Sequence, residues 1–317
     1  MNAPAIGSLF VNSIAVLLLA VVLDLLLGDP PNRLHPVSWV GKLISFGRSW
    51  AEPLPRDFLA LYGVLLIVTV GVVTIMGALF ARALTNLLWW PLALGAQAWL
   101  LKCSFSLRGL VAAVWQVRDA LAEGKLAAAR GAAGVHLVSR RTDDLDAGAT
   151  AGAAVESLAE NFTDSWTAPL CFFLVAGLPG AWLYRAVNTA DALIGYREGL
   201  LEQLGGASAR LDDMLNWVPA RLGALALCAG AWLGRESARG AWRMMRRDGG
   251  LTASPNAGQT MAAMAGALGV TLEKLGHYRL GDGPPPDVAA MDRAVRVFAG
   301  AAGVWLCASL LMLRWLS

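Results

Sequence analysis

The sequence predicts an all-α, polytopic membrane bundle of about four to six spanning or re-entrant helices joined by helical cytoplasmic loops. Three observations carry that expectation. The chain of 317 residues is 56% hydrophobic with a mean hydropathy of +0.53, only 15% of its residues are charged, and thirteen are tryptophan. The run from Phe58 to Phe80 contains no charge and is long enough to cross a hydrocarbon core, which needs about 20 apolar residues at roughly 1.5 Å each. Polar residues gather in short islands at the ends of apolar segments rather than along amphipathic stripes.

The whole chain, 1–317, reads as one integral-membrane domain, with candidate membrane segments at 13–27, 58–80, 87–101, 166–184, 222–234 and 297–313. Segments 58–80 and 297–313 are the clearest. Segment 13–27 carries Asp24, 87–101 carries Pro91, 166–184 contains Pro169, Gly177, Pro179 and Gly180, and 222–234 is short, so these four are expected to be buried or re-entrant. The first charged residue is Asp24, which leaves no basic start for a cleavable signal, and the first helix is expected to stay.

Lys and Arg number four in 29–57, seven in 102–165 and nine in 235–296. Strict alternation places these loops on the cytoplasmic side and the N-terminus outside. If 166–184 and 222–234 both dip in and return, the segment between them is cytoplasmic as well.

Residues 103–165, rich in Ala, Leu, Arg and Glu, are expected to form two or three helices, whereas DGGLTASPNAG at 248–258 and GDGPPPD at 281–287 read as loops. Cys103, Cys171, Cys228 and Cys307 stand far apart in apolar surroundings, the pattern of buried free thiols rather than of a zinc site or disulfide framework. The net charge of +3 is spread over the loops with no lysine-rich tract, which excludes nucleic acid as a partner. Most of the tryptophans fit interfacial belts, with Trp39 and Trp166 set apart by lying next to polar islands.

The stretch ESLAENFTDS at 156–165 holds the chemistry most plainly. As a helix it places Glu156, Glu160 and Asp164 at i, i+4 and i+8, drifting only about 80° around the axis, with Ser157 and Asn161 as a polar i, i+4 pair beside them. Three like charges at that spacing repel one another. One reading is a solvated acidic face, and the other is a site for a cation. The helix enters an apolar segment at Trp166 and no Lys or Arg occurs between Arg141 and Arg185. Magnesium, held through one or two carboxylates and substrate phosphates, suits these residue types.

Three further islands are LLLGDPPNRLHPVSWVGK at 25–42, NTADALIGYR at 188–197 and SPNAGQTMAAMAGALG at 254–269. Asp29 before two prolines suits a turn or cap, and His35 before Pro36 a loop side chain. Asp24, inside a hydrophobic run, points to function. Ser254 or Asn256 suits the cap of a helix beginning near Gln259, with Pro255 and Gly258 setting the turn, and a helix start of this kind also receives phosphate or carboxylate.

In their order and separation, DLLLGDPPNRLHPV, ESLAENFTDSWTAPLCF, LYRAVNTADALIGYR and SPNAGQTMAAMAGALGV resemble the integral-membrane adenosylcobinamide-phosphate synthases of cobalamin biosynthesis, from Leu23 to about Asp282. The resemblance implies an ATP-dependent ligase that joins adenosylcobyric acid to (R)-1-amino-2-propanol or its O-phosphate through an amide. It implies magnesium and ATP as cofactor and co-substrate. The implied partners are the corrinoid, the amine and the lipid bilayer, with contacts to other enzymes of the pathway. The implied location is the inner cell membrane, with the active site reached from the cytoplasm. On this resemblance Glu156, Glu160, Asp164, Asn161 and Asp191 are expected to act in catalysis, the first three also holding magnesium. Asp29, Arg33, His35, Asn188, Arg197, Ser254, Asn256 and Gly258 are expected to bind substrate or phosphate, with Arg140 and Arg141 as further phosphate candidates and Arg185 flanking Asn188 and Asp191. The chain has neither G-x-x-x-x-G-K-[ST] nor G-x-G-x-x-G, so the nucleotide rests on the resemblance alone. A sensor that keeps the fold without ligase chemistry, or a transporter, are the alternatives.

Overall fold

The computed structural model describes residues 6–138, 141–196 and 198–316, with side chains from Ser13 onward. It is an all-α assembly apart from one two-stranded hairpin. Three helices are long and apolar enough to cross a membrane: Arg56–Thr85, the interrupted stretch Ala147–Ile194, and Val288–Leu316. The chain is a membrane protein, and its backbone groups are satisfied inside helices as a hydrocarbon environment demands.

The chain divides into two compact units. The first runs to Ser106 and adds Ala168–Leu215 and Ser309 onward. It contains α1 (Ile6–Leu27), α2 (Pro36–Ala51), α3 (Arg56–Thr85), α4 (Trp90–Lys102), α8 (Ala168–Ile194) and α9 (Leu201–Leu204). Its core joins α2, α3 and α8 through Ile44, Leu66, Ile67, Val70, Val187 and Ile194. The opposite face of α3 leaves Leu61, Leu65, Val68, Val72, Met76 and Phe80 exposed. Their spacing of three and four residues makes one continuous apolar stripe, which suits acyl chains and would be a liability in water.

Pro91 does not weaken the segment around it, because α4 begins at Trp90 and a proline in the first helical turn lacks only an amide hydrogen that would be orphaned anyway. Nor is 166–184 a single span. Ala176 and Gly177 leave helical geometry inside α8, with Gly177 at φ 63° and ψ −151°, a region open essentially to glycine alone. Beyond the break the chain folds back, so that a Cβ built on Gly180 would lie 2.3 Å from the Phe172 carbonyl oxygen. In a straight helix those residues would be about 12 Å apart along the axis. The segment is therefore re-entrant.

The second unit comprises Leu107–Thr167 and Asn216–Ala308. It holds α5 (Arg108–Ala122), α6 (Leu126–His136), α7 (Ala147–Phe162), a single π turn at Thr163–Thr167, α11 (Ala238–Asp248), α12 (Ala257–Leu268), and the antiparallel strands β1 (Leu272–Lys274) and β2 (Tyr278–Leu280). Two long helices, α10 (Gly206–Leu233) and α13 (Val288–Leu316), contribute residues to both units. The candidate segment 222–234 is the C-terminal half of α10 rather than a separate short dip.

Helix α7 is the axis of this unit, since Thr150 to Ala159 are all buried. Its run of Ala and Gly lets neighbours approach closely, and Asp146 starts it by accepting the Ala149 amide at 2.7 Å. Helices α11 and α12 pack closer still. A Cβ on Gly240 would fall 2.2 Å from the Gly266 carbonyl oxygen, and one on Gly266 the same distance from that of Gly240.

All four cysteines are free, but only Cys103 is buried; Cys171 and Cys228 are half-buried and Cys307 is exposed on α13, so the expectation of buried thiols holds in full for Cys103 alone.

Candidate functional site

Within the second unit, the acidic stretch of α7 forms one wall of a cavity of about 270 Å³. Glu156, Ser157 and Glu160 of α7 face Thr252, Ala253 and Ser254 of the loop before α12, and Lys274 and Tyr278 of the hairpin complete it. Glu156 is buried and Glu160 exposed, so one carboxylate is withdrawn from water and its neighbour, a turn away, meets it. Ser157 donates to the Leu137 carbonyl oxygen at 2.8 Å. Asn161 donates to the Ser157 carbonyl oxygen at 3.0 Å and to its hydroxyl at 3.2 Å, which spends its amide hydrogens locally.

Asp164 is elsewhere. It lies in the π turn and accepts from Asn216 of α10 at 3.2 Å, and it does not line the cavity. A single π turn adds a residue to the helical repeat and redirects the side chains that follow. The three-carboxylate set expected from a uniform helix is therefore reduced to Glu156 and Glu160, and no group of three or more His, Cys, Asp or Glu side chains suited to a metal occurs among the described residues. Two carboxylates one turn apart still fit magnesium, which keeps much of its water and takes its remaining ligands from phosphate.

The SPNAG island is built differently from expectation. Helix α12 begins at Ala257, two residues earlier than expected, and Thr252 caps it by accepting the Gly258 amide at 3.0 Å. Ser254 lines the cavity, and its hydroxyl accepts from the Asn256 amide at 3.3 Å. Asn256 is buried, with its carbonyl accepting from Arg221 at 3.3 Å. Gly258 is buried where a Cβ would lie 2.5 Å from the Gly249 carbonyl oxygen, so it permits the close turn rather than facing the cavity.

Lys274 and Tyr278 escaped the sequence reading. Their only sequence signal is the alternation of Leu272, Lys274, Tyr278 and Leu280 about Gly276, which pairs Lys274 with Tyr278 across the hairpin. The hairpin is tied down by Asp248, which accepts the Gly281 amide at 2.7 Å, while Arg247 binds Asp282 at 2.6 Å. The Arg247 guanidinium holds the Asp248 carboxyl below the usual carboxylate range against an opposing effect of burial, and does the same for Asp282.

The first unit carries two polar clusters of its own. Lys102, at the end of α4, is fully buried and lies 3.6 Å from the equally buried Asp24 of α1. It also pairs with Asp29, which accepts from Ser106 at 2.6 Å. His35 caps α2 by accepting the Val37 amide on Nδ1 at 3.2 Å, and this directs its Nε2 toward Asp29 at 3.8 Å. Burial alone would raise the Asp29 pKa, but His35, Lys102 and Ser106 together outweigh it and hold the carboxyl well below the usual range. Lys102 was legible only as a loop charge. Arg33 is exposed, with its carbonyl oxygen accepting from Trp39 at 3.0 Å.

In the second cluster Asn188 accepts from Arg185 at 3.2 Å and donates to Asp212 at 3.3 Å. Asp191, one turn on, has Asp213 within electrostatic range. Arg141, in the other unit, is exposed and paired with Asp143 at 3.4 Å. Arg140 and Arg197 lie outside the described residues.

Comparison with known proteins gives a family model described as CobD/Cbib protein, matching residues 17–298. The chain is 40% identical over 301 residues to the cobalamin biosynthesis protein CobD of Dehalococcoides mccartyi, covering 93% of this chain and 95% of the relative. It is 43% identical over 271 residues to the probable cobalamin biosynthesis protein CobD of Methanothermobacter thermautotrophicus, covering 86% and 88%. With the cobalamin biosynthesis protein CobD of Chromobacterium violaceum the identity is 40% over 310 residues, covering 94% and 96%. No solved structure matches.

Proposed function

This chain belongs to the CobD/Cbib protein family of cobalamin biosynthesis, and from that membership we propose that it is a membrane-bound amide ligase acting on a corrinoid. The reaction joins adenosylcobyric acid to (R)-1-amino-2-propanol or its O-phosphate, driven by ATP. A carboxylate resists attack by an amine at neutral pH. It must first take the terminal phosphoryl group of the nucleotide, releasing ADP, so that phosphate becomes the leaving group when the amine closes the amide.

The observation that carries this reading is the cavity of the second unit, where Glu156, Glu160, Ser254 and Lys274 converge. Glu156 and Glu160 would hold magnesium, which when bound neutralises the charge on the phosphates. Glu160, the exposed member, accepts the proton the amine loses on attack, a role typically worth about 10²- to 10⁴-fold in rate. Lys274 meets phosphate oxygens as a point charge. Asn161, whose amide group is bonded to Ser157, keeps no assigned step. Asp164 and Asp191 keep no assigned step. Asn188 and the loop from Asp29 to His35 keep the substrate-binding role the resemblance implies. ATP is cytoplasmic, so the cavity is proposed to open to the cytoplasm from the inner cell membrane.

The test uses the full chain purified in detergent with adenosylcobyric acid, magnesium-ATP and either amine, and product identified by mass, beside Glu160→Gln. Amide product from wild type and a loss of at least about 100-fold in the variant supports the reading. Equal product from both keeps the ligase and removes Glu160 from it. No product with either amine removes the ligase, and the sensor or transporter reading then stands in its place.

A further inference from the structure

The first unit contains two adjoining cavities that the ligase reading does not use. One is apolar, about 290 Å³, and runs along α3 past Val73, Thr74, Gly77, Ala78 and Ala81. The other, about 240 Å³, is polar and is bordered by Arg82, Asn86 and Gln97 together with the break in α8 at Ala176 and Gly177. Leu178 lines both.

Their order along α3 follows the membrane. The apolar cavity lies against the uncharged part of the helix, and Arg82 is the first charge after the run that ends at Phe80. Thr74, Ala78 and Arg82 follow one another at i, i+4 and i+8, so a single face of α3 passes from hydrocarbon depth to the boundary. Among the described residues no acidic side chain lines the polar cavity, and Arg82 is the one charged group there. Gln97 is fixed there by donating to Thr85 at 3.0 Å.

Two features of the apolar cavity point to an occupant. Thr74 is 8% exposed, and its hydroxyl has no hydrogen-bond partner among the described residues. A buried hydroxyl without a partner is costly, and an ester carbonyl would satisfy it. Gly77, in the middle of an otherwise strong apolar helix, has nothing within 4 Å of where a Cβ would stand. Open space at a helical glycine means that the glycine is not there for helix packing.

We propose that the two cavities together hold one anionic phospholipid, its phosphate against Arg82 and one acyl chain in the slot along Thr74, Gly77 and Ala81. The guanidinium matches a phosphodiester bidentately, Asn86 and Gln97 supply neutral polar contacts, and Thr74 meets a chain ester. A soluble anion would use only the polar half, and a free fatty chain only the apolar half. The inference does not depend on the ligase reading.

The test is native mass spectrometry of the full chain reconstituted in nanodiscs of phosphatidylglycerol or phosphatidylcholine and then released into mild detergent. One phosphatidylglycerol per chain, retained at least about tenfold over phosphatidylcholine, is expected in wild type and in Arg82→Lys and is lost in Arg82→Gln. Gly77→Leu fills the slot without a clash and is expected to lose the lipid while the protein stays monodisperse and helical. Equal retention of the two lipids by wild type overturns the proposal, as does retention in either Arg82→Gln or Gly77→Leu. Inorganic phosphate binding as tightly as the lipid would make the place a free-anion site and would also overturn it.

Discussion

The ring of Phe172 lies stacked on the ring of Tyr184, 5.3 Å between centroids and 9° from parallel. Twelve residues of straight helix would hold them about 18 Å apart. The contact exists because the backbone reverses at Gly177, and it returns Asn188 toward the depth at which Ala168 enters. A polar motif can follow so closely upon an apolar segment because that segment turns back instead of crossing.

Gly177→Ala is expected to destabilise the protein by about 1–3 kcal/mol, since alanine scarcely tolerates a positive φ with ψ near −150°. Thermal unfolding in detergent reads the change, and an unaltered midpoint would remove the hairpin. A double-mutant cycle of Phe172→Leu and Tyr184→Leu should give a coupling of about 0.5–1.5 kcal/mol, whereas strict additivity would mean that the stack contributes nothing.

Lys102 pairs with both Asp24 and Asp29. Lys102→Met takes the ammonium away from the fully buried Asp24 carboxylate and should cost about 3–5 kcal/mol. Removing the buried partner as well, in Lys102→Met with Asp24→Leu, should recover part of that loss. If the double variant unfolds as early as the single one, the pair is not the source of the effect.

The Asp29 carboxyl is held below its ordinary value, so its contribution to stability is fully present above about pH 4 and is lost as pH falls below that toward its folded value. Melting temperatures of wild type and Asp29→Asn should differ at neutral pH and converge on acidification. A gap that stays constant down to about pH 3 would contradict the assignment.

Gly266→Ala places a methyl 2.2 Å from the Gly240 carbonyl oxygen and must push α11 and α12 apart, at a cost of about 1–3 kcal/mol. Because α12 carries Ala257 and Met261 on the cavity wall, ligase activity should fall more than stability explains. Full activity at a temperature where the variant is folded would show that the spacing of these helices does not matter to the cavity.

In the ligase assay, Lys274→Met should raise KM for ATP about tenfold and leave kcat within about a factor of three, the signature of a contact made equally in ground and transition states. A loss confined to kcat would assign Lys274 to the chemical step instead.

The extent to which the amino-acid sequence determines this protein differs from element to element. Phe58 to Phe80 had to be a spanning helix, because an uncharged run of that length has no other way to satisfy its backbone in hydrocarbon. The Ser157 and Asn161 pair, the start of α7 and the loops at 249–256 and 281–287 follow from local rules of spacing and capping. The family follows from four motifs in order. Other features depended on contacts between residues far apart in the chain. The π turn took Asp164 from the face of Glu156 and Glu160 and gave it to Asn216, 52 residues away. Lys102 became the partner of Asp24 only when α4 packed on α1, and Lys274 reached the acidic cavity only when the short hairpin folded beside α7. Periodicity along a helix fixes which residues share a face, but which buried charges find each other is decided by desolvation: a charge that loses water is retained only where the fold supplies its counterpart.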